Sequence, residues 1–504
     1  MTKNLSKLLL QSSAIALVLP SAALAELSAL DVWDGWKSLA ESVGQTFTIG
    51  SQEASGGALI LNGVQIGMEF PDGQFVSTLD FLEFRERSDG TVAVSMAETM
   101  PFKMTVNPAD GEALDMTMVL RQNGTSIVAS GDPGNISFDF LAARMDLSIE
   151  EFIVDGTDAD MVMQFSMADL DGKYQLTTAG RKSYSSEMRI GSLTYDVAFT
   201  DPDTGGNFAM SGTIQDVASN SEVEVPEDLN FADPAQLFSG GFVARGGLSG
   251  GASNSSVQLQ EPGGGFSLTT AGTSSALDFS IGDGSIQYGG NAKGVEYSVS
   301  SPQIPFPEVN LGFAEVAFNL LMPISQSDEP QDYALLIKLG GLEISDMIWG
   351  IFDPGLIMPR DPATISFDVS GSMNWLVDIM DPAIAEEFDG DTPAELYSLS
   401  LNELTVAAVG AQITGSGEFT FDNSDLETFD GLPAPTGAVS FNISGANGLM
   451  DRLVQMGFLQ PDQLFGVRAM MGLFARPGAG EDELTSEIEV KSDGSVFANG
   501  QQLR

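Results

Sequence analysis

The sequence contains one short motif of a type that can carry a catalytic nucleophile. Gly247-Leu-Ser-Gly-Gly251 has the form Gly-x-Ser-x-Gly, which places a reactive serine on a sharp turn in many hydrolases. That serine needs a histidine to accept its proton, and the chain contains no His. The motif also lies in a tract rich in Gly and Ser, where such a match arises by chance. We therefore assign it no catalytic role.

The absence of both His and Cys removes most other catalytic chemistry. Without histidine, the chain lacks the commonest general base and the usual ligand of zinc and copper. Without cysteine, it lacks thiol catalysis, iron–sulfur clusters and cysteine-based zinc sites. It also has no Ser-x-x-Lys pair and no Gly-Lys-Ser/Thr motif that would cradle a phosphate. We predict a protein that is not an enzyme, with no catalytic residues and no cofactor.

Carboxylates are the abundant side chains that could act in catalysis or bind a metal, because the chain has 70 Asp and Glu residues. A pair of carboxylates can hydrolyse a glycoside without histidine, so a carboxylate-dependent glycan hydrolase stays open as an alternative. Asp-rich turns at residues 155–160 and 389–391 could attract calcium, but neither has the full loop spacing with a distal Glu. We interpret both as solvated turns and predict no metal site.

The first 25 residues have the order of a secretory signal peptide. Lys3 and Lys7 precede an apolar stretch over residues 8–19, and a small-x-small site ends at Ala25. We predict cleavage after Ala25 and a periplasmic mature protein. No later apolar run has membrane length, so we expect no transmembrane segment after cleavage. The absence of Cys suits a secreted chain of this length, whose core is large enough to need no disulfide.

The net charge of −49 limits the partners of the surface. Nucleic acids and anionic lipids are bound through clustered Lys and Arg, and the mature chain contains no basic run. We therefore expect no nucleic-acid partner. Hydrophobic residues still make up 43% of the chain, so it can bury a core and is predicted to be folded.

Periodicity predicts a mainly β protein of extended or curved antiparallel sheets with a few short capping helices. Apolar and polar residues alternate over 91–96, 102–106 and 135–140, and turn residues recur about every ten positions. A longer alternating run covers residues 399–421, and the C-terminus predicts a hairpin over 484–498. Short helices are predicted over 345–352, 375–380, 448–458 and 461–474.

Residues 27–44 predict a leading amphipathic helix, with apolar residues at three- and four-residue steps and Gly44 as its end. The helix carries Trp33 and Trp36. Two interpretations follow from this pattern. The first is that the helix covers one end of the core, which is favoured over an interfacial role because Lys37 is the only basic residue of the segment and an interfacial helix has a polar face rich in Lys and Arg. The second is that the two tryptophans form a surface for a membrane or a partner.

Composition suggests two β-rich halves over residues 26–238 and 266–504. Residues 239–265 between them are rich in Gly and Ser, which is typical either of a connection or of thin, closely packed strands. A seven-residue pattern at 174–180 recurs at 266–272, and a shorter one at 135–139 recurs at 364–368. A duplicated sheet unit is one explanation, and chance convergence of strand sequences is the other.

Three segments resemble a known family. The stretches 319–331 and 359–364, together with the Gly-x-Val-x-x-Asn-Gly tail at 494–500, are similar to secreted bacterial proteins of domain-of-unknown-function family 2125. The resemblance extends over most of the mature chain. It implies a periplasmic protein without an assigned activity, so it transfers no functional residue. The strand-rich tail is also loosely similar to envelope proteins with long curved sheets, some of which conduct lipid.

Apolar composition supplies the functional hypothesis. The chain has 31 Phe and 22 Met, which on alternating strands produce broad apolar sheet faces. Either these faces are filled as core, or part of one stays open as a groove. The leading hypothesis is an envelope-associated protein that binds an apolar, lipid-like ligand on a sheet face. The alternative is a structural or protein-interaction module of the cell envelope, which would bind an envelope protein.

Overall fold

A computed structural model describes residues 27–42, 44–70, 72–108, 111–178, 180–201, 204–226, 241–282, 284–377, 379 and 394–504. The predicted signal peptide and its cleavage site at Ala25 lie outside these residues. So do the acidic turn at 389–391, the first two residues of the 239–265 segment, and residues 378 and 380 of the helix predicted over 375–380.

The described residues form one antiparallel sheet of 27 strands with four helices, which confirms the mainly β prediction. The helices are α1 (Ala29–Ser42), α2 (Asp346–Phe352), α3 (Ala446–Gln455) and α4 (Pro461–Phe474). The first strands are β1 (Gln45–Ser55), β2 (Ala58–Phe70), β3 (Gly73–Glu86), β4 (Val92–Met96), β5 (Thr99–Val106), β6 (Leu114–Asn123), β7 (Ser126–Asp132), β8 (Asn135–Val154), β9 (Thr157–Asp158), β10 (Met161–Thr177), β11 (Lys182–Thr200) and β12 (Asn207–Val225). They are followed by β13 (Val243–Gly250), β14 (Ser253–Glu261), β15 (Gly264–Gly272), β16 (Ser274–Gly282), β17 (Ser285–Ser300), β18 (Val309–Pro323), β19 (Gln331–Ile344), β20 (Ala363–Trp375), β21 (Ala394–Ala408), β22 (Ala411–Asp422), β23 (Ala434–Ser444), β24 (Arg476–Pro477), β25 (Glu483–Val490), β26 (Val496–Ala498) and β27 (Gln501–Gln502).

Most strands pair with their neighbours in sequence, but one arrangement interrupts this order twice. The two halves of long strand β3 pair with short strands β4 and β5, which continue to β7 and β6 and rejoin on β8. The same connections run from β12 through β13 and β14 to β16 and β15, and rejoin on β17. A six-strand topology therefore occurs twice.

The sequence echoes do not mark this repeat. The first seven-residue copy begins in β10, which belongs to neither six-strand unit, and the second lies in β15, inside the second unit. Strands exposed on one face converge on similar alternating patterns, so local sequence similarity is a poor guide to equivalent positions. Most of the Gly- and Ser-rich segment forms β13, β14 and the start of β15, and its pairing to β12 keeps the sheet continuous.

Capping residues in the sequence set both ends of helix α1. Ser28 precedes the helix, its hydroxyl accepts a hydrogen bond from the Asp31 N–H at 3.2 Å, and its own N–H donates to the Asp31 carboxylate at 3.0 Å. This reciprocal cap satisfies N–H groups that the first helical turn leaves free. Gly44 follows the helix at φ +83°, a left-handed conformation that costs glycine little.

The main core lies between α1 and the first third of the sheet. Trp33 is only 4% exposed and lies edge-on to Phe47, with ring centroids 5.3 Å apart. Trp36 packs against Phe84 at 5.5 Å and Phe138 at 5.7 Å. The prediction that α1 covers one end of the core is confirmed. The alternative of an exposed tryptophan surface for a partner is wrong, because both rings face the sheet.

Two further sequence predictions are wrong. The alternating run over 399–421 is not one strand but the hairpin of β21 and β22, which turns at Val409 and Gly410. Both turn residues have positive φ, of 50° and 79°, and valine rarely adopts this conformation, so Val409-Gly410 is a much weaker turn signal than Asn-Gly or Asp-Gly. Trp375 was assigned to a helix but ends strand β20, where its indole N–H donates to the Pro323 carbonyl at 2.7 Å.

Candidate functional site: an open apolar face of the sheet

Between β13 and β21, the strand register aligns alternate residues into four rows on one face of the sheet. Cross-strand partners and every second residue along a strand share a face. The first row is Leu248, Leu277, Gly290, Phe318, Ile337, Phe367 and Leu404, and the second is Gly246, Phe279, Tyr288, Leu320, Leu335, Val369 and Leu401. The flanking rows are Gly250, Ser275, Ala292, Val316, Leu339, Ile365 and Val406, and Ala244, Ile281, Ile286, Met322, Tyr333, Gly371 and Leu399. These four rows contain no charged residue.

The centre of this surface is exposed. Eight large side chains in the first two rows are between 37% and 49% exposed, and we call them the open apolar face: Leu248, Leu277, Phe279, Tyr288, Phe318, Leu320, Ile337 and Phe367. The strands β13, β16, β17, β18, β19, β20 and β21 that carry the rows are successive neighbours. At a spacing of about 4.8 Å per strand, the rows extend for about 29 Å from β13 to β21, and the open apolar face extends for about 24 Å from β13 to β20.

Glycines keep this face shallow. A Cβ atom at Gly246 would lie 2.6 Å from the Phe279 ring, and one at Gly290 would lie 2.6 Å from Leu277 and 2.8 Å from the Phe318 ring. The neighbouring side chains therefore lie across these glycines, because only glycine leaves the space free. Tyr288 and Phe318 continue the layer with ring centroids 5.2 Å apart. The result is a low apolar surface rather than a set of separate protruding side chains.

The reverse face of the same strands is polar. Lys338 and Glu315 form an ion pair at 2.6 Å, and the hydrogen bond from Lys338 lowers the pKa of Glu315. On the adjacent strands, the Asn402 amide donates to Asp368 at 3.0 Å. Because adjacent residues of a strand point to opposite faces, these strands carry polar side chains on one face and apolar side chains on the other.

A cavity of about 540 Å³ lies beneath α1, beyond the β13 end of the apolar surface. Its walls include Trp36, Phe138 and Tyr174, and the last two rings stack at 4.9 Å. Burial raises the pKa of Tyr174 to about 12, since the phenolate would lose its hydration there. The volume is within the range of small-molecule sites, which is about 300–1,000 Å³.

One uninterrupted row of side chains connects the cavity with the open apolar face. Cavity residues Leu176 and Tyr184 are cross-strand partners, and the row continues over β12, β13, β16 and β17. Its next members are Val223, Ala244, Ile281 and Ile286. The cavity and the open face are therefore parts of the same apolar side of the sheet.

Ser249, the serine of the Gly-x-Ser-x-Gly motif, has no catalytic surroundings. It lies inside strand β13, between Ala218 and Ala276 of the neighbouring strands, and not at a turn from a strand into a helix. The acidic segment 155–160 forms a turn in which Asp155 accepts a hydrogen bond from the Ala113 N–H at 2.8 Å. Within the described part of the chain, no group of three or more acidic side chains is arranged to hold a metal ion.

Sequence reasoning predicted apolar sheet faces but did not locate the open one. The signal lies in the alternation of β16 to β21, where every second residue is apolar and no charge interrupts the series. Reading it requires the register between strands, because only pairing shows that Leu277, Phe318 and Ile337 form one row.

No family model, no curated protein and no solved structure matches this chain. The resemblance to domain-of-unknown-function family 2125 therefore stays a prediction. Of the helices among the described residues, none is both long and apolar enough to cross a membrane.

Proposed function

We propose that this protein binds an apolar, chain-like ligand, of which a lipid acyl chain is the type, along the open apolar face, and that it does so in the periplasm. The proposal assigns it no catalytic activity. The observation that carries it is the group of eight exposed large apolar side chains on one side of a sheet whose other side is polar.

The dimensions of the face fit such a ligand. One leaflet of a bilayer's hydrocarbon core is about 15 Å thick, so a run of about 24 Å accommodates an extended acyl chain along the direction of strand pairing. The face is also shallow and uncharged, and its aromatic and aliphatic groups offer contact along the whole length. A slender apolar chain gains contact along such a surface, whereas a compact polar ligand finds no hydrogen-bonding group in the first two rows except the Tyr288 hydroxyl.

The free energy gained by covering exposed apolar area favours a bound ligand on this face. Contiguous apolar patches of more than a few hundred Å² are rare on soluble proteins that have no partner. Covering apolar area contributes about 25 cal/mol per Å², so a bound chain would stabilise the folded protein as well as the complex.

A pair of substitutions on adjacent residues tests the proposal. Tyr288→Asp places a carboxylate on the open apolar face, where Tyr288 is 48% exposed. Gln287→Asp introduces the same group on the reverse face, where Gln287 is exposed and donates to Asn319 at 3.2 Å. Both variants should fold, because the Tyr288 side chain is about half exposed and the Gln287 side chain is exposed.

Binding would be measured by titration with a fluorescent fatty acid, parinaric acid, in the absence of detergent. Covering an unpaired carboxylate with an acyl chain costs several kcal/mol, so Tyr288→Asp should weaken binding at least about tenfold. Gln287→Asp should bind like the unaltered protein. Equal affinities for both variants, or no binding by the unaltered protein, would refute the proposal.

A further inference from the structure

Helix α4 carries a second exposed apolar surface, which is separate from the open apolar face of the sheet. Phe465 is 78% exposed, Met470 64% and Leu473 59%. Phe458, in the loop before the helix, is also 64% exposed. Side chains of this size are normally buried, and here they lie together on one short segment.

The contacts of α4 show which side of the helix is occupied. Arg468 donates to Asp451 at 2.8 Å and to Asn447 at 3.0 Å, and both partners belong to α3. The two described α4 residues that are not exposed, Leu464 and Met471, lie on the same side of the helix as Arg468. The helix therefore rests on α3 along a narrow stripe.

Beyond Asp462 and Gln463 in its first turn, the rest of the α4 circumference is apolar and open. At about 100° per residue, the exposed apolar side chains from Phe465 to Val467 cover an arc of about 200°. A helix that packs on a protein surface needs an apolar stripe about 100° wide. After Asp462 in its first turn, the helix carries no acidic residue, and its one cation, Arg468, is bound to α3. An apolar arc this wide suits a surrounding lipid phase better than a groove, which covers one side.

A second helix lies on the same edge of the sheet. The register of β19 to β23 brings the end of β19, which leads into α2, to the same edge as the end of β23, which leads into α3. Ile351 in α2 is 58% exposed, and Leu356 just after it is 70% exposed. This edge thus carries a second apolar patch beside that of α4.

We infer that the α2–α4 edge docks on the surface of a phospholipid bilayer, with α4 embedded parallel to the membrane plane. The 14 residues of α4 extend about 21 Å, less than the hydrocarbon thickness of about 30 Å, so the helix lies in the interface. The net charge of −49 opposes anionic lipid, and α4 has no Lys or Arg beyond Arg468 to bind anionic head groups. Unlike α1, whose tryptophans are packed on the sheet, α4 would be held by its exposed apolar side chains, so the preferred surface is zwitterionic. The inference rests on α4 and α2, and does not depend on ligand binding by the open apolar face.

Cosedimentation of the full chain with phosphatidylcholine vesicles tests this inference. Leu473→Asp removes one large apolar group and adds a charge, so it should lower the partition constant about tenfold or more. The matched control is Leu141→Asp, since Leu141 is 51% exposed on β8 and far from α4 in the sheet order. Phe465→Asp should reproduce the loss. Replacing part of the phosphatidylcholine with phosphatidylglycerol at low salt should weaken binding.

Three results would overturn the inference. The first is that the unaltered chain fails to bind vesicles, and the second is that Leu473→Asp binds them as well as Leu141→Asp does. The third is that the chain self-associates in solution and Leu473→Asp abolishes this, because α4 would then be an interface between copies. Tyr288→Asp should still bind vesicles while losing parinaric acid, so failure of one proposal is distinguishable from failure of the other.

Discussion

Truncating a phenylalanine on the open apolar face should cost much less stability than the same change in the core beneath α1. Phe138 is 0% exposed, and Phe318 is 37% exposed. Phe→Ala in a closed core costs about 3–5 kcal/mol, which includes the cavity that remains. For Phe318, about 60% of the side chain leaves water on folding. Its transfer free energy scales to about 1–2 kcal/mol, and no cavity term arises because solvent fills the space.

The comparison is made on full-length Phe138→Ala and Phe318→Ala by urea unfolding, with hydrogen exchange read separately in β8 and β18. The local readout is needed because a sheet of this length can open in parts. We expect the free energy of unfolding to fall about two to three times as far for Phe138→Ala as for Phe318→Ala. Equal losses in the two variants would mean that Phe318 is part of a closed core, and the description of an open face would be wrong.

Two further predictions concern buried polar groups. The pKa of Tyr174 is raised to about 12 by burial, whereas an unfolded tyrosine ionises near 10. Because the unfolded chain then loses its proton first, stability should fall as the pH rises from 10 to 12. Tyr174→Phe should remove part of that fall in the urea midpoint, and the exposed control Tyr288→Phe should not. Asp353 is 0% exposed and accepts hydrogen bonds from the N–H groups of Ile357 and Met358 at 2.8 and 2.9 Å. Asp353→Ala should cost about 3 kcal/mol in thermal or urea unfolding, and Asp353→Asn should cost less because it keeps one acceptor; no loss in either would contradict this contact.

Local patterns were enough to predict many of the elements. The spacing of Trp33 and Trp36 predicted α1 and its role, and Pro461 marked the first residue of α4. Strand alternation predicted the mainly β fold, since one face of each strand is apolar. These features follow from interactions among residues close in sequence, which is why the sequence displays them directly.

The features that the sequence did not predict depend on residues far apart. Alternation shows which side chains of a strand share a face, but not whether another element covers that face. The exposure of Phe318 and the burial of Phe138 therefore look alike in sequence, although the first lies on the open apolar face and the second lies under α1. The repeated six-strand topology is likewise a matter of pairing, and the turn at Val409 was hidden because valine rarely takes a positive φ.

Mass spectrometry of an organic extract tests the central claim most directly. The mature protein would be purified from a bacterial periplasm without detergent, alongside the Tyr288→Asp variant purified in the same way. The account predicts a lipid or similar apolar chain in about equimolar amount with the unaltered protein, and little of it with the variant. A protein that is folded and free of any such ligand, or equal amounts of ligand on both proteins, would contradict binding on the open apolar face.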